Sequence, residues 1–221
     1  MNPLILMILM LGLGLGTSIT ISSSHWLLAW MGLELSTMAI IPLMAQNHHP
    51  RAVEATTKYF LAQAAAAATL LFATTCNAWM TGQWDIFHMS SPLPNTLITL
   101  AIAFKIGLAP LHTWLPEVLQ GLDYTTGLIL STWQKIAPFS LLLQIQPANS
   151  HTMIFLGLLS TLVGGWGGLN QTQLRKILAY SSIAHLGWMI LIIQYSPSLS
   201  LMTLLIYFFM TSSVFLTFKK Y

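Results

Sequence analysis

Eight stretches of about twenty residues, each almost free of charge, follow one another along this chain with only short polar breaks between them. They run over 4–21, 26–45, 59–80, 96–115, 126–145, 152–169, 177–195 and 199–218. A hydrocarbon core of about 30 Å is crossed by about 20 helical residues. A chain that repeats this length so regularly is built for lipid. The breaks are turn-rich or charged: Ser22-Ser23-Ser24, Gln46 to Lys58, Ser90 to Asn95, Gly121 to Thr125, Pro147 to His151, Asn170 to Lys176, and Ser196-Pro197-Ser198. The ten-residue alternation of barrel strands is absent. The expected fold class is an all-α membrane protein of about eight transmembrane helices.

Charge supports this and excludes several functions. The chain has 8 Lys and Arg and 5 Asp and Glu among 221 residues, far below the roughly quarter share of a soluble domain. A net charge of +3, scattered and without a basic run, gives nucleic acid nothing to bind. The lone cysteine, Cys76, excludes a disulfide framework or a cysteine-based metal cluster. No CxxC, GxGxxG or P-loop occurs. The first apolar stretch lacks a basic leader and a small-residue cleavage site, so a retained helix is expected, not a signal peptide. Twelve methionines with so little charge hint at a product made inside an organelle.

If the eight spans alternate in direction, one side receives Arg51 and Lys58, then Arg175 and Lys176, then Lys219 and Lys220. The other side's loops hold no Lys or Arg. This positive-inside pattern puts the N-terminus on the inner side. Gly12 with Gly16, and Gly164 with Gly168, form GxxxG pairs suited to close helix packing and are assigned no chemistry. Trp26, Trp79, Trp84 and Trp114 fall near span ends, where an aromatic belt would place them.

Three charges remain inside spans: Glu34, Lys105 and Lys135, each near the middle. A charge at the bilayer centre costs at least ~2.5–3.5 kcal/mol. A lysine ten residues from either end lies about 15 Å from water by helical rise and cannot snorkel out. A structural ion pair of Glu34 with one lysine would leave the other unexplained. The same three spans hold the interior prolines Pro42, Pro110 and Pro138. Pro110 would free the carbonyl of Ile106 and Pro138 that of Gln134, so the first lysine's helix is expected to break near Ala109–Pro110. Broken helices beside midplane charges build hydrated ion sites. Burial disfavours an ammonium and a nearby carboxylate restores it, so a Glu and two lysines can load and unload protons. Arginine stays charged and could not. Glu34 and Lys105 are expected to meet directly or through one water, with Lys135 beyond.

Of the seven histidines, His25, His48, His49, His88 and His151 lie in loops or at span ends and read as solvated. His185 sits mid-span in the seventh stretch, where a proton relay and a hydrogen-bonded structural role are both open. His112 follows Pro110 and could face an access path. No histidine spacing supports a metal site.

The stretches Trp30-Met31-Gly32-Leu33-Glu34, Lys105 to Val118 (KIGLAPLHTWLPEV) and Gly167 to Trp188 (GGLNQTQLRKILAYSSIAHLGW) closely resemble the antiporter-like membrane subunits of mitochondrial respiratory complex I. The resemblance implies inverted five-helix repeats. Residues 1–145 would be the first repeat, with Glu34, Lys105 and Lys135 as the carboxylate and lysines of its half-channel. Residues 146–221 would be part of a second, inverted repeat of three helices. His185 falls where the family places polar groups linking the halves. Full members continue for several more helices, with another membrane lysine, so this chain is expected to be a fragment of the pattern.

The resemblance further implies a proton-translocating subunit of NADH:ubiquinone reductase in the mitochondrial inner membrane, with its N-terminus in the matrix. The other membrane-arm subunits and the lipid bilayer would be its partners. NADH, FMN, iron–sulfur clusters and ubiquinone are expected in partner subunits, with no cofactor and no metal in this chain. A stand-alone cation/proton antiporter and a purely structural membrane subunit are the alternatives.

Overall fold

A computed structural model of the chain describes residues 2–46, 49–89, 91–145 and 150–220; His48, one of the loop histidines, and most of the loop holding Pro147 lie outside them. Among the described residues ten helices follow in order: α1 (Pro3–Ser22), α2 (Trp26–Met44), α3 (Pro50–Thr81), α4 (Pro92–Ile106), α5 (Trp114–Gly121), α6 (Tyr124–Ser131), α7 (Trp133–Ile145), α8 (Ser150–Leu169), α9 (Leu174–Ile193) and α10 (Pro197–Lys220). Six of them, α1, α2, α3, α8, α9 and α10, are long and apolar enough to cross a membrane.

The two other expected spans are each split, which is why there are more helices than apolar stretches. The stretch 96–115 ends its helix at Ile106 and resumes as α5. The stretch 126–145 breaks at Thr132 between α6 and α7.

Small residues set the tightest packing. A Cβ on Gly16 would lie 2.8 Å from the carbonyl oxygen of Gly32, so α1 and α2 touch backbone to backbone. A Cβ on Gly164 would lie 2.6 Å from the Ala184 nitrogen, which joins α8 to α9 in the same way. Inside the helices, Thr20, Ser160 and Thr203 return their hydroxyls to carbonyls three residues earlier, satisfying polar atoms that lipid could not. Large apolar side chains such as Leu4, Leu11, Phe155, Leu162, Met202 and Phe209 point outward, as a lipid-facing surface requires.

Trp79 is 92% exposed, as an aromatic-belt residue would be, whereas Trp26 and Trp114 are buried, at 0% and 9%. Trp26 starts α2 against the loop after α3, and its ring is enclosed. The Trp114 indole donates to the Phe104 carbonyl, 3.2 Å.

Positive residues from the N-terminal parts of α3 and α9 meet at one end of the bundle; the break expected from Gln46 to Lys58 is helical from Pro50 onward. Lys58 lies 2.8 Å from both Glu54 and Glu117. Arg175 donates to the Gln120 carbonyl and sits over the Tyr124 ring. At the opposite end the chain makes an antiparallel bridge: Trp26 N–H donates to the Trp84 carbonyl and Ile86 N–H to Ser24, both 3.0 Å. His25 stacks on Trp84 and caps α2, and His49 caps α3. These two loop histidines therefore have structural work.

The buried apolar residues form two clusters. In α2 one holds Trp26 to Leu33 and the other Ala39 to Met44. In α9 the division falls between Ile183 and Leu186, and across α6 and α7 between Leu130 and Ala137. Glu34, Lys135 and His185 occupy those gaps. The mid-span charges form a polar layer between two dry cores.

Candidate functional site

Lys105 is the penultimate residue of α4 rather than a mid-helix residue. Gly107 ends the helix with a φ of +88°, a left-handed conformation that glycine adopts without strain. Leu108 N–H reaches back to the Ala103 carbonyl, 2.9 Å, and Gly107 N–H to Phe104, 3.1 Å. This is a Schellman cap. The break expected from Pro110 is present, but glycine makes it three residues earlier, and Pro110 lies in the following loop. The Lys105 carbonyl accepts from Gln63 Nε2 of α3, 3.3 Å, so a side chain takes the place of the next helical N–H.

The Lys105 ammonium points inward, with its side chain 3% exposed, and its Nζ lies 3.5 Å from Glu34 Oε1. The other carboxylate oxygen accepts from Thr37 Oγ1 at 3.3 Å. The expected contact between Glu34 and Lys105 is direct.

Lys135 is 3% exposed as a residue and sits one turn beyond the α6–α7 break. Its N–H donates to Thr132, three residues back, at 3.2 Å. The Ser131 carbonyl, which a regular helix would pair with Lys135 N–H, instead accepts the Tyr207 hydroxyl of α10 at 3.0 Å. Lys135 Nζ donates to that same hydroxyl at 3.1 Å. Among the described residues Glu34 pairs with Lys105 and no carboxylate pairs with Lys135.

Both lysines line one small cavity, with Ser36, Tyr59, Gln63 and Gln134 around them. It has room for about one water molecule. Gln134 ties α7 to α2, its Nε2 donating to the Ser36 carbonyl at 3.0 Å. The arrangement can hold two protonable amines around a bridging water, with one counter-charge set against Lys105.

His185 is exposed on α9, with its ring 5.7 Å from that of the buried Tyr207. It therefore borders the Lys135 end of the layer. His112 is half-buried in the α4–α5 connection against Tyr180 at 6.3 Å and does not line the lysine cavity. Tyr207, Gln63 and Gln134 were not among the residues singled out from the sequence. Each is a hydrogen-bonding side chain inside an apolar stretch, where such a group must find a partner, and that signal could have found them.

With this geometry in view, the comparisons define a class. The chain belongs to the NADH:quinone oxidoreductase/Mrp antiporter transmembrane family, whose model matches residues 23–221. It is similar to NADH-ubiquinone oxidoreductase chain 2 of Tetraodon nigroviridis, 74% identical over 99% of this chain and 63% of the relative. The same-named protein of Salmo salar is 69% identical over 99% of this chain and 63% of the relative. The chain thus spans 63% of the length of these curated relatives. Among solved structures, a chain of respiratory complex I from Thermus thermophilus with bound Aureothin superposes with a TM-score of 0.90 at 31% identity, covering 97% of this chain and 51% of that one. A chain of the Mrp complex from Dietzia sp. DQ12-45-1b has a TM-score of 0.87 at 18% identity, covering 96% and 44%, a likeness of fold.

Proposed function

We propose that this chain forms the proton-conducting core of a complex I membrane subunit, a part of NADH:ubiquinone oxidoreductase that couples electron transfer in partner subunits to proton transfer. The observation that carries the reading is the placement of Lys105 and Lys135 on one water-sized cavity beside two helix breaks, with Glu34 paired to Lys105 at 3.5 Å. Burying two amines with one carboxylate is costly, and a structure needing only a polar contact would use fewer charges. Protons would pass by way of Lys105 and Lys135, tuned by Glu34, and continue toward His185, with His112 at the α4–α5 break as an access group. The relatives' names and the apolar helices support a multi-pass protein of the mitochondrial inner membrane. The N-terminus would face the matrix, following the positive end of the bundle. Residues 1–145 would be one five-helix repeat and 146–221 part of its inverted partner. NADH, FMN, iron–sulfur clusters and ubiquinone would reside in or between partner subunits.

The test is Lys105→Met in the complete subunit within its assembled complex, with proton uptake per NADH measured in vesicles. Pumping should fall while assembly persists. Lys105→Arg should also fail, because a guanidinium does not release its proton, whereas a purely structural role predicts that Arg is tolerated. Unchanged pumping by an assembled Lys105→Met complex would end the case for this residue.

A further inference from the structure

One phenol touches both the unpaired backbone of a helix break and a buried lysine. The Tyr207 hydroxyl has a single proton and donates it to the Ser131 carbonyl at 3.0 Å. Its oxygen accepts from Lys135 Nζ at 3.1 Å. That direction is possible only while Nζ has a hydrogen aimed at the phenol, as an ammonium always does. A neutral amine keeps two N–H groups but gains a lone pair, so it can also accept. The phenol O–H can then turn to Nζ, and the Ser131 carbonyl loses its partner. A buried carbonyl without one is destabilised, so the break must rearrange or take up water.

We infer that Tyr207 is a positioning residue that couples the charge of Lys135 to the α6–α7 break. Loading holds the break closed and unloading releases it. The group sits where such a movement would be passed on. Tyr207 is buried, its ring borders His185 of α9, and it is one of only a few buried residues on α10. This inference rests on the proposed role of Lys135 in proton transfer.

The experiment compares Tyr207→Phe, Lys135→Met and the double variant in the complete subunit within its complex, reading assembly and the rate of proton uptake driven by NADH. Tyr207→Phe keeps the ring and removes the hydroxyl. It should assemble and pump about tenfold more slowly, the scale of one lost hydrogen bond to a charged group. The double variant should pump no more slowly than Lys135→Met alone, since the hydroxyl acts through that lysine. Tyr207→His keeps a ring donor and acceptor that stops short of the phenol oxygen's position, so a water must bridge the gap and part of the loss should be recovered. If Tyr207→Phe pumps at the parental rate while Lys135→Met does not, the coupling is overturned and the proposed function stands. If Lys135→Met pumps at the parental rate, both fall. If Tyr207→Phe does not assemble, Tyr207→His decides: an assembled complex with part of the parental pumping supports the coupling, and one that assembles without pumping overturns it. Losses that multiply in the double variant overturn it too, because the hydroxyl would then act independently of Lys135.

Discussion

Glu34 is the acid placed against one of the two buried amines, Lys105, and its substitution separates tuning from conduction. Glu34→Gln keeps the shape and the contact with Thr37 but removes the counter-charge 3.5 Å from Lys105. The charged form of the lysine becomes harder to reach, yet the protonable amine remains. Proton uptake in the assembled complex should drop a few-fold, on the order of one weakened charge-assisted bond, and less than with Lys105→Met. A Glu34→Gln complex that pumps worse than Lys105→Met would reverse these roles. The three charges were legible in the sequence because each is expensive where it stands. Tyr207 was not, since its bond to Lys135 joins residues 72 positions apart, and no local pattern encodes which side chain a distant helix will present.

At the level of elements, the break after α4 depends on glycine more than proline. A Cβ on Gly107 would lie 2.9 Å from Leu115 Cδ1 in a backbone conformation that L residues resist. Gly107→Ala should therefore destabilise the α4–α5 turn by about 1–2 kcal/mol from backbone strain alone, read as a lower thermal midpoint of the assembled subunit. An unchanged midpoint would show that the turn relaxes freely. The α8–α9 contact has its own control. Gly164→Ala places a methyl against the Ala184 backbone, whereas Gly165→Ala meets nothing within 4 Å. The first should cost roughly 1–3 kcal/mol and the second should be neutral or slightly stabilising; equal effects would mean that the contact is loose. Sequence rules located the α4 break to within a few residues but credited Pro110. They see that proline cannot continue a helix, and they do not see that Gly107 has already turned left-handed to cap it. The split at Thr132 was illegible for a different reason: the α10 hydroxyl that satisfies the freed carbonyl is a tertiary contact.

Over the whole molecule, the two ends of the bundle differ in charge. Arg51, Lys58, Arg175 and Lys176 surround one cleft system with Glu54, Glu117 and Asp123, and the loop around Trp84 lies at the other end. In a Cys76→Ser background, a membrane-impermeant thiol reagent should label Lys176→Cys only from the inner side and Gln83→Cys only from the outer. Labelling of both from one side would overturn the orientation. Regular spacing made the spans readable, because lipid imposes one length on every crossing. The division into two dry cores with a charged layer between them needed the packed structure, since it depends on which residues of four helices fall level. The bridge between Ser24–Trp26 and Trp84–Ile86 has a consequence for that layer. It indexes the start of α2 to the segment leading into α4, the helices that carry Glu34 and Lys105. The alignment of the midplane pair is therefore partly set by two backbone bonds at the waterline, within reach of peptides, pH and proteases that never enter the lipid.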